Sequence, residues 1–256
     1  MPKVDDFKLV NKEQLKPDIF KFSVEANSIA EEAKPGQFLE IRVSRGFEPF
    51  LRRPISIYNV DGSIVEFIFQ VKGNGTEILA KKEVGEYIDI IGPLGWGTFK
   101  YEGYKDISII GGGIGTFPLH ELAKNAKKNS NVNIYLGFRN KDLVVLEDEF
   151  KAVSNNLTIT TDDGSYGKSG FAINYLKEDI NNKKPELICA CGPLPMLKGV
   201  KELAKEMNIP CQVSLEERMG CGLGACLGCA VKVTDEDTYK HVCKEGPVFL
   251  STEVEF

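Results

Sequence analysis

The stretch Ile107-Ser-Ile-Ile-Gly-Gly-Gly-Ile-Gly-Thr116 runs a buried apolar strand directly into a glycine-rich loop, and residues 118–128 are predicted to form the helix that follows. In a strand–loop–helix unit of this kind, backbone N–H groups and the helix N-terminus bind a pyrophosphate. The loop departs from a strict G-x-G-x-x-G because Thr116 replaces the last glycine, so glycines needed only for the turn are an equal alternative. The candidate nucleotide-binding residues are Gly111, Gly112, Gly113, Gly115 and Thr116.

Downstream of this loop, strand-like and helix-like segments alternate. Apolar runs at residues 132–136, 157–160 and 187–190 predict strands, and residues 195–207 predict a last helix. Such alternation is typical of a parallel sheet. The run at 187–190 leads into Cys191, Gly192 and Pro193, which join the nucleotide-site candidates because doubly wound folds bind ligands at this sheet edge. Cys191 either contacts a nicotinamide ring or packs in the core.

Upstream of the loop, residues 8–92 consist of short β-type runs broken by turns. Alternation and β-branched residues recur in the runs at 20–24, 37–43, 55–58, 64–71 and 87–91. Only residues 76–82 are predicted to be helical in this half of the chain. The pattern predicts a small antiparallel barrel.

One strand of this barrel contains the segment Arg52-Arg-Pro-Ile-Ser-Ile-Tyr58. Alternation sends Arg53 and the isoleucines to one face and Pro54, Ser56 and Tyr58 to the other, so a bound ligand would contact the strand partly through its backbone. Arginine is the preferred bidentate partner of phosphate. The segment Gly73-Asn-Gly-Thr76 opens the short helix, where it forms either an anion site with free N–H groups or simply a turn with a threonine cap.

Four cysteines near the C-terminus form the most specific motif of the chain. Cys221, Cys226 and Cys229 have a C-x4-C-x2-C spacing, and Cys243 follows after thirteen further residues. Plant-type [2Fe–2S] sites open with this spacing, and four thiolates hold their two irons. The small residues between the cysteines let backbone N–H groups approach the cluster sulfurs. Two short strands, at residues 231–234 and 239–243, predict a hairpin that brings Cys243 beside Cys229.

Two other interpretations of these cysteines remain open. One is a structural zinc site, although such sites usually show two C-x-x-C pairs and only Cys226 and Cys229 form one here. The other is a set of ordinary buried or disulfide-bonded cysteines. His241 is the one histidine in this segment, whereas a Rieske centre needs two, so we expect it on the surface of the hairpin.

Composition restricts the class of protein. The 256 residues are 42% apolar with a net charge of −5, which fits two domains with a small appendage and argues against a nucleic-acid partner. We expect a cytoplasmic protein without a membrane partner, because the N-terminus lacks signal-peptide features and no run of about eighteen apolar residues occurs. In a reducing compartment, seven cysteines favour metal or redox use over disulfides, and the motif leaves Cys189, Cys191 and Cys211 unassigned.

Taken together, these segments resemble the ferredoxin–NADP⁺ reductase superfamily through the R-x-x-S strand, the GGGIG loop and the C-G-P strand end. The cysteine segment and the following Lys244-Glu-Gly-Pro-Val-Phe249 are similar to the electron transfer subunits of class B, NAD⁺-linked dihydroorotate dehydrogenases. The resemblance implies a β plus α/β fold. We expect an N-terminal antiparallel six-stranded flavin-binding β-barrel at 1–101, a parallel-sheet nucleotide-binding domain at 102–209 and a small C-terminal [2Fe–2S] segment at 210–256.

The resemblance also implies the cofactors FAD, a [2Fe–2S] cluster and NAD, together with their sites. The cluster would be bound by Cys221, Cys226, Cys229 and Cys243, and NAD by the glycine loop and the strand end at Cys191. Ile55 stands where the superfamily often has an aromatic residue, which leaves stacking of Tyr58 on the flavin open. The residues expected along FAD are Arg53, Pro54, Ile55, Ser56, Phe69, Gln70 and Val71, with Gly75 and Thr76 at its pyrophosphate.

The activity implied is an electron relay in de novo pyrimidine biosynthesis. An FMN-containing catalytic subunit would oxidise dihydroorotate, and electrons would pass through the cluster and FAD to NAD⁺ in a heterotetramer with two subunits of each kind. This chain shows no catalytic residue for dihydroorotate, which fits oxidation on the partner. The alternatives are a related NAD(P)H-linked subunit serving ferredoxin or a sulfur compound, and a zinc-stabilised interaction module. Arg139 and Lys141 favour NADP and Asp142 and Glu147 oppose it, so the family preference decides for NAD.

Overall fold

Two units make up the chain in the computed structural model, which describes residues 2–46 and 48–256. The first unit contains the N-terminal barrel and the second contains the parallel sheet. The first comprises Met1–Thr98, Glu216–Ala230 and Lys240–Pro247, and the second comprises Phe99–Leu215, Val231–Tyr239 and Val248–Phe256.

Six antiparallel strands close the barrel in the order β1-β2-β5-β4-β3-β6, which confirms the predicted six-stranded barrel. The elements are β1 (Lys3–Lys16), β2 (Ile19–Glu25), α1 (Asn27–Ala30), β3 (Phe38–Arg42), β4 (Arg53–Asp61), β5 (Ile64–Gln70), α2 (Asn74–Ala80) and β6 (Tyr87–Leu94). Alternate apolar side chains point inward from these strands, and Phe22 and Phe67 are among those fully buried in the barrel core. Each such phenylalanine stabilises the barrel by about 1.5–3 kcal/mol relative to an exposed one.

Two elements of this unit were not predicted. The sequence prediction began at residue 8 and named no strand before residue 20, whereas β1 spans Lys3–Lys16. Only Phe7 and Leu9 of this strand are buried, so its apolar alternation is too weak to be recognised. The helix α1 is a single turn, Asn27–Ala30, which is shorter than any periodic pattern can detect.

A seven-stranded sheet forms the second unit, in the order β10-β9-β8-β7-β11-β12-β15. Its pairs are parallel except for β12 with β15, which confirms the predicted parallel-sheet domain. The strands are β7 (Asp106–Gly112), β8 (Asn131–Phe138), β9 (Asn156–Thr161), β10 (Lys168–Ser169), β11 (Leu187–Cys191), β12 (Cys211–Ser214) and β15 (Val248–Leu250). The helices are α3 (Leu119–Ala126), α4 (Glu147–Ala152), α5 (Ala172–Asn182) and α6 (Leu194–Glu206).

The strand order reverses at β7, which has β8 on one side and β11 on the other. In doubly wound sheets such a reversal opens a crevice at the carboxyl ends of the strands. The glycine loop follows β7 and Cys191 ends β11, so the fold brings both nucleotide-site segments to the edge where the sequence predicted them.

The segment 210–256, expected as one cluster domain, is shared between the two units. Cys211 pairs with Ile188 and Val248 pairs with Ser214, so β12 and β15 extend the sheet of the second unit. Both strands are too short, at four and three residues, for a sequence pattern to mark them. The predicted hairpin is present as a separate two-stranded sheet of β13 (Ala230–Lys232) and β14 (Tyr239–His241). Among the described residues, no helix is both long and apolar enough to cross a membrane.

Candidate cofactor sites

The cysteine loop wraps backbone N–H groups around the Cys221 sulfur. The amides of Leu223, Ala225 and Cys226 donate to Cys221 Sγ at 3.3, 3.3 and 3.4 Å. The loop makes these bonds because Gly222, with φ of +69°, turns the chain back over the sulfur. Several N–H donors on one thiolate are typical of iron–sulfur ligands.

The hairpin places Cys243 beside Cys229, as the sequence predicted. The amide of Cys243 donates to Cys229 Sγ at 3.4 Å, and the Cys243 sulfur accepts from the amide of Gly224 at 3.1 Å. The amide of Val242 also donates to the Cys229 carbonyl at 3.0 Å. His241 bonds to Glu245 through both its amide and its ring nitrogen, so it takes part in the hairpin rather than in the thiol group.

The surroundings of two of the thiols shift their pKa values in opposite directions. Burial alone would raise the pKa of Cys221, but the surrounding amides and a hydrogen bond with Cys226 lower it to about 6. Burial and a hydrogen bond with Cys229 raise the pKa of Cys243 to about 12. Backbone hydrogen bonds join the same residues in two pairs, since the Cys226 amide donates to Cys221 Sγ and the Cys243 amide donates to Cys229 Sγ.

This pairing fits two irons with two protein ligands each. A structural zinc site needs four ligands around one point. Throughout residues 2–46 and 48–256, however, no group of three or more His, Cys, Asp or Glu side chains is placed to hold a single metal ion. Four thiols, with backbone N–H donors on the sulfurs of Cys221, Cys229 and Cys243, fit the ligand set of a two-iron cluster. The assignment of the four cysteines as its ligands stays a prediction.

Apolar side chains are exposed on and near the cysteine loop, beside the charged side chain of Lys244. Cys226 is exposed, whereas Cys229 and Cys243 are buried. Leu223 and Leu227 of the loop are 50% and 60% exposed. Trp96 is 71% exposed and is attached to the same segment through its amide, which donates to the Lys244 carbonyl at 2.9 Å. The edge of the thiol group at Cys226 therefore faces solvent beside exposed apolar side chains.

The predicted flavin site centres on Arg53 at the start of α2. A Cβ on Gly75 would lie 2.5 Å from Arg53 Nη2 and 2.6 Å from its Cζ, so only a glycine leaves room for the guanidinium there. Thr76 Oγ1 accepts from the amides of Lys72 and Gly73 at 2.9 and 3.3 Å, which fixes the turn before the helix. A guanidinium beside a helix start suits a pyrophosphate, so these residues fit the FAD expected there.

The side chains of the other predicted flavin residues lie partly in the barrel core and partly on its outer face. The side chains of Ile55 and Phe69 lie in the barrel core, so only their backbone is available to a ligand outside. Pro54 and Ser56 alternate with Ile55 and lie on the outer face. Gln70 donates from Nε2 to Asp18 at 2.6 Å.

The remaining residues of this group are held by other contacts. The Val71 amide donates to the Asp18 carbonyl at 2.7 Å, and Tyr58 is only 2% exposed. Asp18 was not singled out from the sequence, because an isolated acidic residue in a turn gives no signal. The contacts of the whole group with FAD stay predictions.

The two nucleotide loops of the second unit touch each other closely. A Cβ on Gly115 would lie 2.5 Å from Gly192 Cα, and one on Gly112 would lie 2.7 Å from Pro193 Cδ. These glycines therefore serve the packing of one loop against the other. Gly113, with φ of +55°, has no atom within 4 Å of such a Cβ, so it is the glycine of the loop that faces open space.

Neighbouring residues of these loops form hydrogen bonds or packing contacts within the protein. Thr116 is fully buried and its hydroxyl donates to the Gly113 carbonyl at 2.9 Å. A Cβ on Gly111 would meet Leu119 Cδ1 at 2.9 Å. Cys191 is 1% exposed and lies in the core, which is one of its two predicted places. Binding of NAD by these residues stays a prediction.

Two of the four charged residues considered for the choice of cofactor line one cavity. Lys141 and Glu147 both line a cavity of about 330 Å³ beyond β8 and β9. The Tyr166 hydroxyl donates to Glu147 at 2.6 Å, so that carboxylate is already engaged. Asp148 and Glu149 line the same cavity, and this mixture of charges does not decide between NAD and NADP.

Comparison with known proteins gives matches along the whole chain. The family of the iron–sulfur cluster binding domain of dihydroorotate dehydrogenase B matches residues 216–255, and the oxidoreductase NAD-binding domain matches residues 109–202. The electron transfer subunit of dihydroorotate dehydrogenase B (NAD⁺) from Fusobacterium nucleatum is 39% identical over 260 aligned positions, covering 99% of each chain. The corresponding subunit from Lysinibacillus sphaericus is 38% identical, with 97% of each chain covered.

Solved structures agree with the fold. A chain of the NADH-dependent reduced ferredoxin–NADP oxidoreductase, described for flavin-based electron bifurcation, superposes with a TM-score of 0.86 and 32% identity over 100% of this chain and 91% of its own. A ferredoxin–NADP⁺ reductase from Neisseria gonorrhoeae with bound FAD and NADP has a TM-score of 0.66 at 18% identity, with 80% and 92% covered. The second similarity concerns the fold alone.

Proposed function

Because the chain belongs to the family of the electron transfer subunits of dihydroorotate dehydrogenase B, we propose that it carries electrons from a catalytic subunit to NAD⁺ in pyrimidine biosynthesis. The catalytic subunit would contain FMN and oxidise dihydroorotate, and this chain would hold a [2Fe–2S] cluster and FAD. The observation that supports this most is the arrangement of four thiols in which the Cys226 amide donates to the Cys221 sulfur and the Cys243 amide donates to the Cys229 sulfur.

The residues of the cysteine loop would bind the cluster and adjust it. The amides that donate to Cys221 and Cys243 disperse negative charge on the sulfurs and thereby favour the reduced form. When bound, FAD exchanges hydride with a nicotinamide and single electrons with an iron–sulfur cluster, which is the conversion that a relay to NAD⁺ requires.

The first unit would bind FAD through a charged side chain and backbone N–H groups. Arg53 and the N–H groups at Gly75 and Thr76 would bind the pyrophosphate, and the outer face of β4 would support the ring system. In the second unit, the loop at Gly113 and the strand end at Gly192 would bind and orient the dinucleotide. No residue of this chain is proposed to act on dihydroorotate.

The apolar surface at Cys226, Leu223, Leu227 and Trp96 would receive the catalytic subunit. It surrounds the exposed edge of the thiol group, where an electron would enter over the shortest distance. We propose a cytoplasmic heterotetramer with two copies of each subunit. Mass analysis of the purified complex tests this stoichiometry, and a complex with unequal numbers of the two chains would contradict it.

The proposal is tested by anaerobic purification of the chain with its FMN partner, followed by iron, sulfide and flavin analysis and by a coupled assay. We expect two irons and one FAD per chain, and NADH formation that depends on dihydroorotate and on both subunits. A colourless chain free of iron and flavin would refute the proposal. A preference for NADP⁺ over NAD⁺ would refute the assigned electron acceptor.

A second candidate function is reduction of a ferredoxin by NAD(P)H. It is favoured by the 32% identity over the whole chain to the NADH-dependent reduced ferredoxin–NADP oxidoreductase. The same preparation separates the two functions. A holoprotein that exchanges electrons with ferredoxin, and not with a dihydroorotate-oxidising subunit, would favour this candidate.

A further inference from the structure

Glu40 is a buried carboxyl on the outer face of the barrel. It lies on β3 between Leu39 and Ile41, whose side chains are in the barrel core, so alternation directs Glu40 outward. Only 1% of the residue is exposed, and neither carboxyl oxygen has a hydrogen-bond partner among the described residues. Buried carboxyls normally have such partners because their desolvation costs several kcal/mol. The isolation of Glu40 therefore needs an explanation.

The cysteine loop covers this carboxyl. A Cβ on Gly222 would lie 2.6 Å from Glu40 Oε1 and 2.8 Å from its Cδ, so the loop approaches Glu40 at a distance that only glycine permits. Gly222 directly follows Cys221, the first predicted cluster ligand. A negative group thus lies beneath the loop that is expected to carry the cluster.

The nearby positive side chains do not neutralise Glu40 by an ion pair. Arg52 forms its ion pair with Asp89 instead, at 2.7 Å, and donates only to the backbone carbonyl of Glu40 at 3.3 Å. Arg53 is placed against Gly75. Within the described part of the chain, no ion pair of Glu40 is formed, so Arg52 and Arg53 act on its charge without direct contact between the charged groups.

Glu40 is also adjacent to the predicted flavin strand. Its register partner on β4 is Pro54, which shares the outer face of the barrel. The carboxyl is therefore placed between a strand expected to support the flavin and a loop expected to hold the cluster, all within the first unit.

We propose that Glu40 is a positioning residue whose charge lowers the reduction potential of the cluster held by the cysteine loop. The inference rests on the proposed function, because it requires the cluster. Reduction adds an electron to the cluster, and an enclosed carboxylate opposes this addition because protein screens charge less than water does. Net charge around the sulfurs is one of the factors that set the potential of such clusters.

The ionisation of Glu40 fixes the conditions of the test. Burial raises its pKa to about 7, Arg52 and Arg53 lower it, and the charge of Cys221 raises it further. The midpoint potentials of the cluster are therefore compared at a pH well above 7, where the carboxyl of Glu40 is ionised.

The test compares Glu40→Gln, Glu40→Asp and a matched control, Glu66→Gln, in the purified holoprotein. Glu66 is another barrel glutamate, but its carboxylate accepts from Ser23 Oγ at 2.8 Å and from Asn59 Nδ2 at 2.9 Å. Midpoint potentials of the cluster are measured by EPR-monitored titration, and iron is determined in each variant. We expect a more positive potential in Glu40→Gln at full iron content, and potentials near the wild type in Glu40→Asp and in the control.

Three results would overturn the inference. The first is an unchanged potential in Glu40→Gln, and the second is an equal shift in Glu40→Gln and Glu40→Asp, since charge would then not be the cause. The third is loss of iron in Glu40→Gln with an unchanged potential in the remaining clusters, which would assign Glu40 a structural role only. Wild-type protein without iron would instead refute the proposed function, and the inference with it.

Discussion

The guanidinium of Arg53 lies directly against Gly75 at the first turn of α2. Arg53 Nη1 also donates to the Leu51 carbonyl at 2.6 Å, which fixes the side chain in this position. A positive charge is thereby held beside the free N–H groups of the helix start, where an anion gains from both.

Replacement of Arg53 by Ala is expected to weaken FAD binding by at least about tenfold, since a hydrogen bond to a charged group contributes roughly 1.5–3 kcal/mol. The measurement is flavin per chain after gel filtration, with the dissociation constant taken from flavin fluorescence. Arg45→Ala is the matched control, because Arg45 is exposed and pairs with Asp6. Equal flavin retention in the two variants would contradict the assigned pyrophosphate site.

Replacement of Cys226 by Ser is expected to abolish the visible absorption of the cluster and electron flow to the partner, while reduction of FAD by NADH continues. The reason is that a serine hydroxyl does not replace a thiolate as an iron ligand at this exposed corner of the loop. Absorption spectra and stopped-flow reduction by NADH measure the two effects. Cys189→Ala serves as the control, since Cys189 is buried on β11. Undiminished coupled turnover in Cys226→Ser would contradict the proposed electron relay.

Replacement of Gly222 by Ala is expected to lower cluster content, because its Cβ would meet Glu40 and its φ of +69° is unfavourable for alanine. Gly62→Ala separates these causes. Gly62 has φ of +58° but no atom within 4 Å of a Cβ, so it has only the backbone cost of about 1–2 kcal/mol. Iron and sulfide per chain are the measurement. Full iron in Gly222→Ala would contradict the close approach of the loop to the barrel.

Replacement of Gly115 by Ala is expected to raise the KM for NADH on the order of tenfold, or about 1.4 kcal/mol. The added Cβ would lie 2.5 Å from Gly192 Cα and push the two loops apart. Gly137→Ala is the control, because its Cβ would meet Ala172 Cβ at an ordinary 3.4 Å. Steady-state reduction of an artificial acceptor by NADH measures the effect, and equal KM values for the two variants would exclude a role of this contact.

Stability is expected to decrease as the pH rises between about 9 and 11. Burial raises the pKa of Cys211 to about 11, partly offset by Ser251 and Lys201. The unfolded chain, with a thiol pKa of about 8.5, loses this proton first, so deprotonation favours unfolding by up to about 3 kcal/mol across the window. Urea unfolding at a series of pH values measures the slope. Cys211→Ala should show a smaller slope than the wild type, and an identical slope would contradict this cause.

Much of the fold follows from local patterns in the sequence. Strands such as β5 and β7 consist of apolar or alternating runs long enough to be recognised. The strand β1 was missed because only Phe7 and Leu9 of its residues are buried, so it is a strand through its pairing with β2 and β6 rather than through its own apolar pattern. The pairs of β12 and β15 likewise depend on residues far away along the chain.

The position of Cys243 beside Cys229 was predictable because a short hairpin is a local property of the sequence. Glu40 was not, since a glutamate between Leu39 and Ile41 has the pattern of an ordinary strand with one solvent-facing residue. Glu40 is buried by the cysteine loop, which is too far away in sequence to belong to the same motif. The loop approaches the carboxyl of Glu40 at Gly222. When a polar residue is buried by a segment far away along the chain, its burial cannot be predicted from a single sequence.

The distribution of residues 210–256 over both units limits how this chain can be divided by engineering. An excised fragment beginning at residue 210 would take β12 and β15 away from the sheet, leaving β11 as a new hydrogen-bonding edge. The severed remainder would be prone to aggregation, and the fragment would keep the pair of β12 and β15 but expose the edge of β12 that pairs with β11. Grafting this redox element onto another reductase would therefore require an acceptor strand beside β12, rather than a flexible linker.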